Sequence, residues 1–286
     1  MPTRRTFLKS GAAVIAGGLA GDAAIWEPNH PRVVRVEVVL QRLPEVWNGL
    51  RIVQLSDFHY DPYFSVHPIK KAVEITQGLQ PDLIVLTGDF ITYTSFSKRV
   101  ISREQQTINV QMCSKVLGGL HSRLGVFAVI GNHDRMFGAD VVINALTANS
   151  IRVLRNSSYS LQQNGARLWL AGVDDVLEGN PDLEKSLRGI SGKEVVILLA
   201  HEPDFFINAA NSGIDLQLSG HSHGGQIRVP FMGAPYLPVL GKKFPKGMYQ
   251  IGDTKLYTNI GLGTIIVPLR FDCPPEVTLF TLRSSA

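Results

Sequence analysis

Cysteine is scarce in this chain: 286 residues contain two, Cys113 and Cys273. They lie far apart without CxxC spacing, which argues against both a zinc finger and a redox pair. No disulfide follows from sequence, and two buried free thiols are expected. Net charge is also small. The formal +4 falls to +2 once Arg4, Arg5, Lys9 and Asp22 of the first 24 residues are set aside. Nothing there resembles the basic stripe that a nucleic-acid partner needs. Long apolar runs are missing too. The run from Gly11 to Gly21 is about half the ~20 residues that span a bilayer, and it contains four glycines. With 44% hydrophobic and 18% charged residues, the composition is that of a globular protein able to bury a core without disulfides. No repeat or linker interrupts the middle, so one domain over residues 32–286 is expected.

The N-terminus reads as an address. Thr3-Arg4-Arg5-Thr6-Phe7-Leu8-Lys9 followed by a short apolar stretch has the layout of a signal segment, residues 1–24. Adjacent arginines before Phe-Leu-Lys resemble the bacterial twin-arginine export motif, and an ordinary basic n-region is the plainer alternative. The expected partner is the twin-arginine export machinery. The expected location is the periplasm or the extracytoplasmic face of the membrane, with peripheral contact if the segment is retained.

Periodicity then places the elements. Arg32 to Leu40 alternates at period two as a strand. Leu50–Leu55, Leu83–Leu86, Gly125–Ile130, Glu194–Leu199 and Ile214–Leu218 are short apolar strands. Helical spacing covers 66–80, 104–117 and 139–149. Further strands fall near 151–154, 158–163, 167–173, 247–251, 254–259 and 276–282. Strands alternating with helices, then β-rich hairpins, argue for a mixed α/β (α+β) sheet core flanked by helices.

Five strand ends carry metal-liking side chains: Asp57-Phe58-His59, Gly88-Asp89, Gly131-Asn132-His133-Asp134, His201, and Gly220-His221-Ser222-His223. Five of the chain's eight histidines lie here. Ligands gather beyond the carboxyl ends of strands in open α/β sheets, so these clusters are placed to converge. Nitrogen and oxygen donors of this kind suit a two-metal hydrolytic site. A single strand-end Asp more often caps a helix and a lone His is more often structural, and His30, His67 and His121 are read as surface or structural.

The order DxH, GD, GNHD, H, GHxH resembles the calcineurin-like metallophosphoesterase superfamily over about residues 50–280. The tail Pro268-Leu269-Arg270-Phe271-Asp272-Cys273-Pro274-Pro275-Glu276 is similar to its exported or membrane-associated bacterial branch, which includes enzymes like UDP-2,3-diacylglucosamine pyrophosphatase. The resemblance implies a four-layer α-β-β-α sandwich and two divalent ions of Mn, Fe or Zn. Asp57, His59 and His223 would hold the first ion, and Asn132, His201 and His221 the second, with Asp89 bridging. It implies a hydrolase that cleaves a phosphodiester or pyrophosphate bond by attack of a metal-bridged hydroxide. His133 would donate a proton to the leaving group or bind a phosphate oxygen as imidazolium. An acidic residue common in the family three positions after the bridging Asp is Thr92 here, so Asp134 is assigned to orient His133.

Two segments are candidates for reading the substrate. Val229 to Met248 is apolar, broken by Pro and Gly, and carries Lys242, Lys243 and Lys246. It suits a lipid surface or an acylated phosphate ester, or equally a loop packed on its own core. Phe90 to Arg99, with Tyr93, Phe96, Lys98 and Arg99, is a second wall. Arg270 either forks onto a substrate phosphate or pairs with Asp272 or Glu276. The rival functions are a phosphomonoesterase on the same site and a binding module that has lost catalysis.

Overall fold

The computed structural model describes residues 17–93 and 102–285. Arg4, Arg5 and the start of the apolar run lie outside the described residues, as do Phe96, Lys98 and Arg99. Twelve strands form two six-stranded sheets. The first has the order β1 (Arg32–Leu40), β12 (Glu276–Ser284), β2 (Arg51–Leu55), β3 (Leu83–Thr87), β4 (Val126–Val129), β5 (Ile151–Val153). The second runs β10 (Gly247–Ile251), β11 (Thr254–Thr258), β9 (Leu216–Ser219), β8 (Val195–Leu199), β7 (Ala166–Gly172), β6 (Ser157–Gln163).

Strands β2 to β5 are parallel, and so are β7, β8, β9 and β11. Parallel strands are covered on both faces, which is why β3, β4 and β8 are apolar runs rather than alternating ones. The inner faces of the sheets share one core, with Ile52, Leu83 and Phe127 against Leu170, Ile197 and Leu216. Helices α1 (Val66–Leu79), α2 (Arg103–Leu117) and α3 (Asn132–Ala148) pack outside the first sheet. Short α4 (Leu183–Ser186) and α5 (Phe206–Ala209) lie in the sequence that covers the second. The result is the expected four-layer α-β-β-α arrangement. Cys113 and Cys273 are both buried free thiols.

Element positions follow the sequence pattern closely, with one large exception. α3 begins at Asn132 rather than near Ala139. Its first turn carries ligands and not an apolar stripe, and Gly138 (φ 144°) interrupts the helical backbone, so periodicity resumes only beyond it. Asp134 Oδ2 accepts the Gly131 N–H at 3.0 Å and caps this start. Ahead of β1, Glu27 is buried and accepts the N–H groups of Asp272 and Cys273, while Ala23 O accepts from Arg270 N. No helix among the described residues is long and apolar enough to cross a membrane.

Candidate metal centre

Every predicted ligand leaves the carboxyl end of a parallel strand or the turn after it. β2 delivers Asp57 and His59, β3 delivers Asp89, and β4 leads to Asn132 at the head of α3. β8 and β9 of the other sheet deliver His201, His221 and His223. Gln54 ties the two sheets just beneath, donating to Thr87 Oγ1 and to Ser219 O at 2.9 Å each. The turns are tight. Asp57, His59, Asp89, His221 and His223 all have positive φ between 41° and 67°, a region side chains other than glycine adopt at a cost. A Cβ on Gly131 would collide with the Asp89 carboxylate, and one on Gly220 with Ser56 and Asp57. These two positions admit only glycine because the backbones approach the ligands so closely.

The side chains converge in three overlapping groups: Asp57, His59 and His223; His59, Asp89 and His133; Asp89, His201 and His221. Asp89 Oδ2 lies 3.5 Å from His59 Nε2 and 3.2 Å from His201 Nε2, so its carboxylate stands between the two halves. His59 and His223 present Nε2 to each other at 3.0 Å, and His223 Nε2 is 3.4 Å from Asp57 Oδ1. Asn132 Oδ1 and His221 Nδ1 are 3.2 Å apart. His201 Nε2 is buried with no hydrogen-bond partner. Inward-facing lone pairs and an orphaned ring nitrogen in one buried pocket are what a cation site looks like from its donors. The residues therefore fit a metal.

The outer ring atoms are anchored. His59 Nδ1 meets Thr92 Oγ1 at 3.1 Å, His201 Nδ1 donates to Thr87 O at 2.6 Å, and His221 Nε2 donates to Val239 O at 2.7 Å. Such partners fix the tautomer and aim the other nitrogen inward. Burial governs the charges. It pushes the Asp57 carboxyl up to about 7 and the His59 imidazole down to about 3. Burial, with His59 and Arg270 beside it, also holds His223 well below the usual range for His. Burial opposes ionisation of Asp89 as well, yet His201, His133 and His59 together hold it well below the ordinary carboxylate range. His59 and His223 are thus neutral and Asp89 ionised, as ligands require. His201 goes the other way: burial opposes its charge, but Asp89 beside it holds it well above the usual range for His, so a metal must displace that proton.

His133 is half-buried beside this cluster, its ring edge-on to His59 with centroids 4.9 Å apart. Its Nδ1 sits against the Tyr93 backbone, 2.6 Å from the carbonyl, to which it donates when it carries the proton, and 3.0 Å from the N–H, from which it accepts when it does not. Asp134 does not orient it, which corrects the role assigned above. Asp134 Oδ1 takes the N–H of Phe90 at 2.9 Å and Oδ2 that of Gly131, so the carboxylate ties together the loops after β3 and β4. Sequence adjacency misled because consecutive residues at a helix start point in different directions. Thr92 likewise serves His59 rather than His133.

The sequence profile of calcineurin-like phosphoesterases matches residues 50–225, the stretch that carries every one of these groups. The chain belongs to that family. It is similar to the metallophosphoesterase YkuE of Bacillus subtilis, with 36% identity over 99% of this chain and 98% of that one. It is 30% identical to the phosphodiesterase YaeI of Escherichia coli, over 99% of this chain and all of that one. Among solved structures, Haemophilus influenzae NAD nucleotidase superposes with a TM-score of 0.48 and 14% identity, covering 74% of this chain and 45% of that one. As a calcineurin-like phosphoesterase, the chain is a metal-binding hydrolase of phosphate esters.

Arg270 requires a second correction. Its side chain is fully buried, and the guanidinium donates to the carbonyls of Cys273 (2.8 Å), Ile260 (3.1 Å) and Gly263 (2.6 Å). It braces the loops behind the ligands instead of facing a substrate, and it pairs with neither Asp272 nor Glu276. Glu202 was missed by sequence reasoning. It is buried next to His201 and accepts from Val176 N and Leu177 N at 3.1 and 3.3 Å. Its only signal in the sequence was its place after a ligand. Lys242, Lys243 and Lys246 lie on the loop after His223, whose Val239 carbonyl holds His221.

Proposed function

We propose that this phosphoesterase works with two divalent ions and cleaves a phosphodiester or pyrophosphate bond. The observation that carries the reading is the position of Asp89 between two donor groups, one ending on His59 and the other on His201. Asp57, His59 and His223 would hold one ion and Asn132, His201 and His221 the other, with Asp89 shared. Bound ions supply Lewis acidity, which activates water and offsets the charge of the phosphoryl oxygens. Imidazole-rich donors favour Mn, Fe or Zn over Mg or Ca.

The chain's own residues do the rest. Asp57 also accepts the His221 N–H through both oxygens, at 2.9 and 3.0 Å, which locks the two sheets' ligands to each other. Asp89 Oδ1 accepts the His133 N–H at 3.0 Å and so fixes that histidine relative to the bridge. With Nδ1 accepting the Tyr93 N–H, His133 carries its proton on Nε2, where it can pass to the leaving oxygen or bind a phosphoryl oxygen. A substrate with an acyl-bearing leaving group, as in UDP-2,3-diacylglucosamine, is the narrower form of this proposal. The twin-arginine-like start at Arg4 and Arg5 supports export to the extracytoplasmic side.

The test is turnover of bis-p-nitrophenyl phosphate against p-nitrophenyl phosphate by one Mn-loaded preparation. Faster diester cleavage that Asp89→Asn removes is expected. Faster monoester cleavage would make the chain a phosphomonoesterase, and no cleavage of either would end the catalytic reading.

A further inference from the structure

A cavity of about 220 Å³ opens beside the metal centre. Ser222 and the ligand His223 form part of its lining. Gln226 and Ile227 continue that side, Ile265 to Val267 face it, and Tyr236 with its neighbouring prolines completes it. Among the described residues, no Asp, Glu, Lys or Arg lines it. His223 Nδ1 is buried without a hydrogen-bond partner, and two other polar side chains of the lining are already engaged. Gln226 Nε2 donates to Ile265 O and Val267 O at 3.1 and 2.8 Å, its Oε1 accepts from Ile265 N at 2.8 Å, and Ser222 Oγ donates to Pro245 O at 2.6 Å. These bonds also tie the 265–267 loop to the metal-motif loop, so the walls are a built structure. What faces the cavity is mostly apolar, and its rim is open to water: Ile266 is 82% exposed and Tyr236 59%.

We infer that this cleft binds an alkyl or acyl chain carried by the phosphate-ester substrate. The proposal rests on the phosphoesterase reading above. Continuity argues for the occupant, because the wall contains His223, so a chain lying in the cleft can extend from a phosphate held at the predicted ligands. A lining that is mostly apolar, with the Gln226 and Ser222 side chains bonded to backbone, gives a sugar or nucleotide few groups to bond, whereas each methylene it covers is gained by burial. A concave site between three tied segments also suits a single chain better than a bilayer surface.

The test uses the full chain, Mn-loaded, and p-nitrophenyl alkyl phosphodiesters with methyl, butyl, octyl and dodecyl groups, each below its micelle-forming concentration. kcat/KM is expected to rise about two- to fourfold per methylene until the cleft is filled. The double variant Tyr236→Asn/Ile266→Asn should lower the dodecyl-to-methyl ratio at least tenfold. Both positions are exposed, and a thermal midpoint checks that the variant is folded. A readout independent of turnover is the fluorescence of dansyl-undecanoate, which should rise on binding and fall when dodecyl phosphate displaces it. Equal kcat/KM for all four esters with no probe binding would overturn the cleft while leaving phosphodiesterase activity standing. Probe binding without turnover of any ester would retain the cleft and overturn the catalytic reading. A chain-length effect that appears only with added vesicles would mark a membrane-docking surface and overturn the cleft.

Discussion

Two regions that meet at His223 are built on opposite terms. On one side, the ligand loops are buried, strained and cross-tied: five ligands sit at positive φ, and three imidazoles have an outer partner. On the other, the segments around 229–240 and 264–267 present large apolar side chains to water, with Phe231 at 110% and Met232 at 82% exposure. The first region leaves almost no room for change, since even a methyl group on Gly131 or Gly220 collides with a carboxylate. The second is anchored at a few points, chiefly Gln226. The first region is therefore built on backbone geometry, while the proposed chain-binding cleft is built on side chains that can vary without disturbing it.

Substitutions on the two sides should separate sharply if that contrast is sound. The largest effect belongs to Asp89→Asn, which should take turnover below detection and reduce the metal content measured by mass spectrometry. His133→Gln comes next. It should lower kcat by about 10²- to 10⁴-fold, the usual worth of a positioned acid or base, with metal content unchanged. Thr92→Val loses the oxygen that aims His59, and a chelator titration should show metal affinity weakened about 10- to 100-fold.

A smaller, pH-dependent effect belongs to Asp175, beneath His201. Burial, then the neighbouring Glu202 carboxylate, pushes its carboxyl up to about 9, against about 3.9 in an unfolded chain. Between those values the folded state keeps a proton that the unfolded state has released, so stability falls as pH rises through that window. Urea midpoints at pH 6 and pH 9 should differ less in Asp175→Asn than in the parent. Phe231→Ser, on the rim, should be the mildest: unfolding should shift by no more than about 0.5 kcal/mol. A large loss there would erase the distinction between the two regions.

Much of this was legible in the sequence because strand ends carry their own signals. β1 could be read from alternation to its exact bounds, and the five polar clusters stood out where apolar runs stopped. The start of α3 was hidden because Asn132, His133 and Asp134 serve the site and the capping turn, not a helical stripe. The partners of the ligands were hidden for another reason. His133 is held by the backbone of Tyr93 and His221 by that of Val239, and a backbone group has no residue type to recognise. Arg270 shows the converse, since its residue type suggested phosphate while burial among three carbonyls gave it structure.

The central claim is that Asp89 joins two ion sites, and counting manganese per folded chain tests it most directly. The account predicts two ions per chain in the active protein, falling in Asp89→Asn. One ion per chain with full phosphodiester turnover would contradict it.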